Sequence, residues 1–296
     1  MSVRALSGLG PAETDRNIDP APAAPGHGRG IEADSILKRF EALEATRCEW
    51  EGVWQQCSDY VLPRLGRHNR SNQLIFDSTA PLALERFAAA LESVLAPRTM
   101  KWHSLSTGFP ELDQDPEVAR WLEVVRDILF EHRYAPEANF ANQLVEALFS
   151  LGCPGTAVLF VDEVLGRGVR YQCIPVHEVY LAEDFTGRVD TVYRWYKLTA
   201  RQALAEFGDD LPPKIRDYAR DEKLMDKEHE FIQAVFPRKD FEKGAGRSGS
   251  ARLPFASVHV AKAESVVVRE KGYRAMPYAV PRHTVMPGHG YRRAPA

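Results

Sequence analysis

The sequence predicts an α+β fold, with helices in the first half of the chain and a mainly antiparallel set of strands in the second. Three observations carry that expectation. From Ile36 to Leu151 the apolar residues recur at steps of three and four, the period of one helix face. After Gly155 they fall instead in short β-branched runs separated by glycine turns. The two kinds of segment are segregated, not interleaved as a doubly wound sheet would require.

Each element follows from its residues. Ile36, Phe40, Leu43, Trp50, Trp54, Cys57 and Val61 mark one stripe on a helix of about seven turns, broken by Arg47 and stopped by Pro63. Asp77-Ser78-Thr79 offers side-chain oxygens to cap a second helix, with Pro81 in its first turn and Pro97 after its end. Its stripe is Leu84, Phe87, Leu91 and Leu95. Asp115-Pro116 opens a third helix in the same manner, with Val118, Trp121, Leu122, Val125 and Leu129 expected to face inward. A fourth runs from Pro136 through Phe140, Leu144 and Leu148 to Gly152.

The strand half begins with Thr156–Val161. Gly166-Arg167-Gly168 then turns the chain back into Val169–Ile174. Val189–Leu198, Phe231–Phe236, Ala256–Ala261 and Ser265–Arg269 are the other expected strands, and a Gly/Ser loop, Lys243–Ser250, lies among them. Thr199-Ala-Arg-Gln202 reads as a capping box for a short helix ending at Gly208. Around this body, residues 1–30 hold four Pro, five Gly and five Ala and are expected to form a disordered tail. The segment 272–296 has four Pro, carries Arg274, Arg282, Arg292 and Arg293, and holds no acid. The expected organisation is therefore a tail over 1–30, one domain over 31–271 and a Pro/Arg-rich segment over 272–296.

Composition narrows the function. With 38 basic and 41 acidic side chains the net charge is −3, which argues against a uniformly basic nucleic-acid-holding surface. No apolar run reaches the ~20 residues of a membrane span, and the first ten residues lack the apolar region of a signal peptide. A soluble chain is the expectation. Four scattered cysteines do not make a disulfide framework.

Chemical motifs are sparse. Gly166–Gly168 and Gly244–Gly249 lack the Lys-Ser/Thr that completes a phosphate-binding loop, so turn and loop are the better readings. Cys48 and Cys57 are nine apart and point to different sides of a helix, and His177-Glu178 has no second histidine at helical spacing. No metal or cofactor is expected. Cys153, with a base such as His177, is the best nucleophile candidate, but it follows a helix C-terminus, where the dipole opposes thiolate formation. Arg64, Arg67, His68 and Arg70 read as a solvated loop, and Trp121 and Trp195 as core. A hydrolase built on Cys153, or a scaffolding and binding module outside any virion, remain alternatives.

One set of segments is more specific. Ile75-Phe-Asp-Ser-Thr-Ala-Pro, then Phe87-Ala-Ala-Ala-Leu-Glu-Ser-Val-Leu-Ala-Pro97 and Lys101-Trp-His-Ser-Leu105, resembles the head-to-tail connector, or portal, proteins of short-tailed bacteriophages. Gly155-Thr156, Gly187-Arg-Val-Asp-Thr-Val-Tyr-Arg194, Leu198-Thr-Ala-Arg-Gln202 and Met276-Pro-Tyr-Ala-Val-Pro-Arg282 follow in family order. The family usually shows an aromatic at His283 and Tyr-Gly-Arg where Tyr291-Arg-Arg stands here.

The resemblance implies a structural subunit of a homo-oligomeric ring, twelve-membered in the family, through which double-stranded DNA is packaged and ejected. It implies partners in terminase, capsid or scaffold, and tail-adaptor proteins, no membrane, and a place at the portal vertex of the virion after assembly in host cytoplasm. It also implies structural roles for Asp77, Ser78, Thr79, Pro97, Trp102, Gly155, Thr156, Gly187, Arg188, Asp190, Arg194, Thr199, Pro277, Pro281 and Arg282. Family members continue into stem, clip and crown, so a wing-like, truncated portion is expected here. The arginines of 272–296 are expected to be solvated on the way to that stem, in preference to contacting DNA.

Overall fold

The computed structural model describes residues 31–61, 77–164, 166, 168–238, 253–283 and 291. The tail, Pro63, the Arg64–Arg70 run, the loop 243–250, and Arg292 and Arg293 lie outside them. The described chain is α+β, with five of its seven described α-helices ahead of both sheets.

Five helices come first: α1 (Ala33–Val61), α2 (Thr79–Leu95), α3 (Pro110–Asp113), α4 (Pro116–Tyr134) and α5 (Phe140–Gly152). The hairpin β1 (Leu159–Val164) and β2 (Gly168–Cys173) follows, then β3 (Val179–Glu183) and β4 (Val189–Thr199). After α6 (Ala200–Phe207) and α7 (Pro213–Arg220) come β5 (Glu228–Pro237), β6 (Phe255–Ala261), β7 (Val266–Tyr273) and β8 (Tyr278–Ala279). The strands form an antiparallel five-stranded sheet, β3-β4-β5-β6-β7, and a smaller sheet, β2-β1-β8.

Alternation along the strands gives the large sheet two apolar faces. One carries Tyr193, Ile232, Ala234, Val258 and Val260, and α1 lays Ile36, Phe40 and Leu43 on it. The other carries Val179, Leu181, Val192 and Val235, which pack on Val158, Phe160, Ile174 and Tyr278 of the small-sheet region. Toward the far end of that second face, Phe231 and Ala261 are covered by Ala203, Phe207 and Ile215 of α6 and α7. Fully burying a side chain such as Phe40 is worth about 3 kcal/mol, so the sheet–α1 layer is a main source of stability.

Several local expectations meet a different outcome. The fourth helix starts at Phe140, after Asn139 in left-handed backbone (φ 53°), and not at Pro136. The first strand starts at Leu159, because Thr156 and Ala157 pair instead with 281–282. Helix α4 buries none of its residues fully: Trp121 is 63% exposed, and Leu129 is exposed as well. Strand β3 and helix α7 are additions that the sequence did not announce. At the α2–α5 crossing, Gly152 allows an approach so close that a Cβ there would overlap Leu84 Cδ1 and press on the Phe87 ring.

Candidate functional site

The family-like segments, spread over 200 residues of sequence, converge in two places. At the first, the chain from Pro277 to His283 runs antiparallel along 155–161. Val161 donates its N–H to the Pro277 carbonyl (2.8 Å), Ala157 to Pro281 (3.0 Å), and His283 to Gly155 (3.1 Å). Thr156 and Arg282 form the bridge between them. From there Arg282 reaches across to the β3–β4 turn, where Nη1 donates to the Glu183 carboxylate and Nη2 to the Gly187 carbonyl (3.2 Å). Arg282 is thus not a solvated lead-in; its side chain is 13% exposed and clamps the small sheet to the large one. The residue after it, His283, places its ring 6.0 Å from that of Phe87, tilted by 59°.

The turn that Arg282 holds is built by Asp184. Its carboxylate accepts from Thr186 N (2.7 Å), Thr186 Oγ1 (2.6 Å) and Arg188 N (3.0 Å). The Thr186 hydroxyl, with these amides, holds the Asp184 carboxyl below its ordinary range. Gly187 sits at φ 80°, which favours glycine there. Asp190 is the extra residue of a β-bulge, because Ala182 pairs with Thr191 while Glu183 pairs with Val189. The rigid turn presents Phe185 fully to solvent.

At the second place, after Pro97, Trp102 donates from Nε1 to the Tyr134 hydroxyl (3.1 Å), and Tyr134 donates on to the Ala96 carbonyl (3.4 Å). Arg133 lies 4.9 Å over the Trp102 ring and 5.6 Å over Phe140. The segment 101–107 makes no strand pairing. Burial foremost, then the Arg133 charge, lowers the His103 pKa, so a neutral imidazole is favoured there.

The remaining positions are local. Asp77 accepts from Thr79 N (2.8 Å), while Ser78, at the helix start, makes no side-chain cap bond. Arg194 donates to Glu178 (3.0 Å) beside Tyr196. Thr199 and Gln202 form both halves of the expected capping box.

The catalytic alternative finds no support in its geometry. Cys153 is buried at the end of α5, and burial pushes its thiol up to about 11, far from a thiolate at neutral pH. His177 is exposed on a short turn, where its carbonyl accepts from Arg47 Nη1 (2.8 Å). Among the described residues no group of three potential ligands could hold a metal, and no helix is long and apolar enough to cross a membrane.

Two features escaped the sequence. Arg47, the break in the first stripe, is 5% exposed, sits 3.7 Å over the Tyr180 ring and ties α1 to β3. Tyr291 is 4% exposed and bonds to β3 through its hydroxyl. A charge in an apolar stripe was the available signal for Arg47; Tyr291 left none.

One surface stands out. Trp121, Val124 and Ile128 fall at i, i+3 and i+7 on α4, exposed by 63%, 52% and 47%, with Leu129 beside them. The opposite side of α4 lines a shallow groove of about 260 Å³ with Ser104, Leu105, Ala119 and Leu122.

Comparisons with known proteins give these features a setting. A family described as "Bacteriophage head to tail connecting protein" matches residues 33–296. The chain is 29% identical over 271 residues to the "Probable portal protein" of Bordetella phage BPP-1, covering 88% of this chain and 48% of that protein. It is 26% identical over 268 residues to the "Portal protein" of Salmonella phage epsilon15, covering 86% of this chain and 47% of that one. The chain spans about half the length of the curated relatives it matches.

Proposed function

Because the chain belongs to the bacteriophage head to tail connecting proteins, we propose that it acts as a portal subunit, contributing the outer, wing-like part of a ring through which double-stranded DNA enters and leaves the capsid. The observation that carries this reading is the extent of the family match, which runs through every described helix and strand. On this reading the role is mechanical. Arg282, Glu183 and the Asp184 turn lock the two sheets together, and Arg47 locks α1 to them. A collar around moving DNA needs such cross-ties and has no use for a reactive thiol.

The exposed α4 stripe suits the contact between neighbouring copies. Three large apolar side chains in one helical row are more than scattered surface hydrophobes, and a ring needs a non-polar seam between subunits. Terminase, capsid and tail-adaptor proteins are the proposed further partners. The near-neutral charge favours DNA passing over DNA being held. Immunogold labelling of particles from the phage that encodes the chain tests the assignment. Label at one vertex is expected; label spread over the shell, or absent from particles, would refute it.

A further inference from the structure

Strand β3 is an outer edge of the large sheet, and its sequence, Val179-Tyr-Leu-Ala-Glu183, has no charge until its last residue. A short, apolar edge is a template for another strand. The opposite edge is guarded in a familiar way: β7 carries Arg269, Glu270 and Lys271. Nothing in the β3 sequence does the same work.

Two side chains from distant parts of the chain take the place of a neighbouring strand. Tyr291 Oη accepts the Leu181 N–H (3.0 Å) and donates to the Val179 carbonyl (3.1 Å). Arg47 Nη1 donates to that same carbonyl (3.1 Å) and to His177 (2.8 Å). A phenol can accept and donate at once, so one oxygen serves the Leu181 N–H and the Val179 carbonyl together. Both side chains are fixed. The Tyr291 ring meets Trp54 edge-on at 5.0 Å, and Arg47 is tied to Glu51 (2.9 Å) and stacked on Tyr180.

We propose that Tyr291 and Arg47 form a latch over the β3 edge, which prevents that edge from pairing with a strand of a second copy of this chain. The latch joins residue 47, residue 291 and a strand between them, so the edge is covered only once the chain from both sides has folded onto it.

Tyr291→Phe tests this, because it keeps the ring and removes the oxygen. Hydrogen exchange of the purified full chain should show the Leu181 amide exchanging at least tenfold faster, with β5 amides unchanged. Sedimentation should show concentration-dependent association beyond that of the unmodified chain. Unchanged Leu181 protection would overturn the latch. Faster exchange without added association would overturn its role against strand pairing. If the variant does not fold, exchange on the unmodified chain decides the matter. Leu181 should be protected as well as the amides that pair β3 to β4, and exchange at the rate of a free edge would overturn the proposal.

Discussion

Helices α1 and α4 carry apolar stripes of the same period, and their fates are opposite. In α1, Ile36 and Phe40 are 2% and 1% exposed against the sheet; in α4, Trp121 and Val124 are 63% and 52% exposed. The difference lies in what the rest of the chain offers each helix. α1 has the whole face of β4, β5 and β6 to cover. Among the described residues α4 meets chiefly α3, α5, β2 and the segment after Pro97, and it does so with its other side. Periodicity therefore tells which residues share a face, while only the assembled chain tells whether that face is covered.

Truncation breaks the comparison most forcefully. Phe40→Ala should lower unfolding free energy by about 3–5 kcal/mol in denaturant titration. The matching change on α4, Trp121→Ser, should move it by less than about 0.5 kcal/mol. A large loss at Trp121 would mean that the chain's own core uses that stripe.

Arg47→Met probes why α1's stripe tolerates a charge. The change leaves the His177 carbonyl and the Tyr180 hydroxyl without the Arg47 donor and the Val179 carbonyl with Tyr291 alone, and should cost about 2–3 kcal/mol. A neutral result would make Arg47 an ordinary surface residue.

On the sheet face away from α1, β4, β5, β6 and β7 align Arg194, Gln233, His259 and Arg269 in one cross-strand row. Burial foremost, then the charges of Lys271, Arg269 and Arg194, pushes His259 down to about 3, and its Nδ1 lies 3.0 Å from the Tyr196 hydroxyl. The folded pKa is below the unfolded value, so the unfolded chain binds the proton more readily. This stability is complete above pH ~6.5 and is lost as pH falls toward ~3, at up to about 1.4 kcal/mol per unit. His259→Gln should flatten that slope in pH-dependent melting, and an unchanged slope would contradict the assignment.

Thr199→Ala should cost about 1 kcal/mol through the lost capping box, a small effect confined to α6. Asp77→Ala should cost less, because Asp77 makes one backbone bond at an exposed helix start.

These contrasts mark how far the sequence could be read. The α1 stripe, the Gly166–Gly168 hairpin and the Thr199–Gln202 box depend on neighbours in sequence, and all three were legible there. Strand β3 was not, since five residues after a 3-10 turn give too little alternation to separate strand from loop. Helix α7 was hidden because Pro212-Pro213 reads as a breaker, although proline is favourable in a first helical turn. The Arg282 clamp and Tyr291 depend on partners 99 and 110 residues away, and no local pattern encodes such a distance.

Among the described residues nothing covers the α4 stripe, which makes it the feature to test against a neighbouring copy. Cryo-electron microscopy of the assembled vertex in the encoding phage tests it directly. Trp121, Val124 and Ile128 are expected to pack against the neighbouring copy around the whole ring; the same three side chains facing solvent in every subunit would contradict the proposed seam.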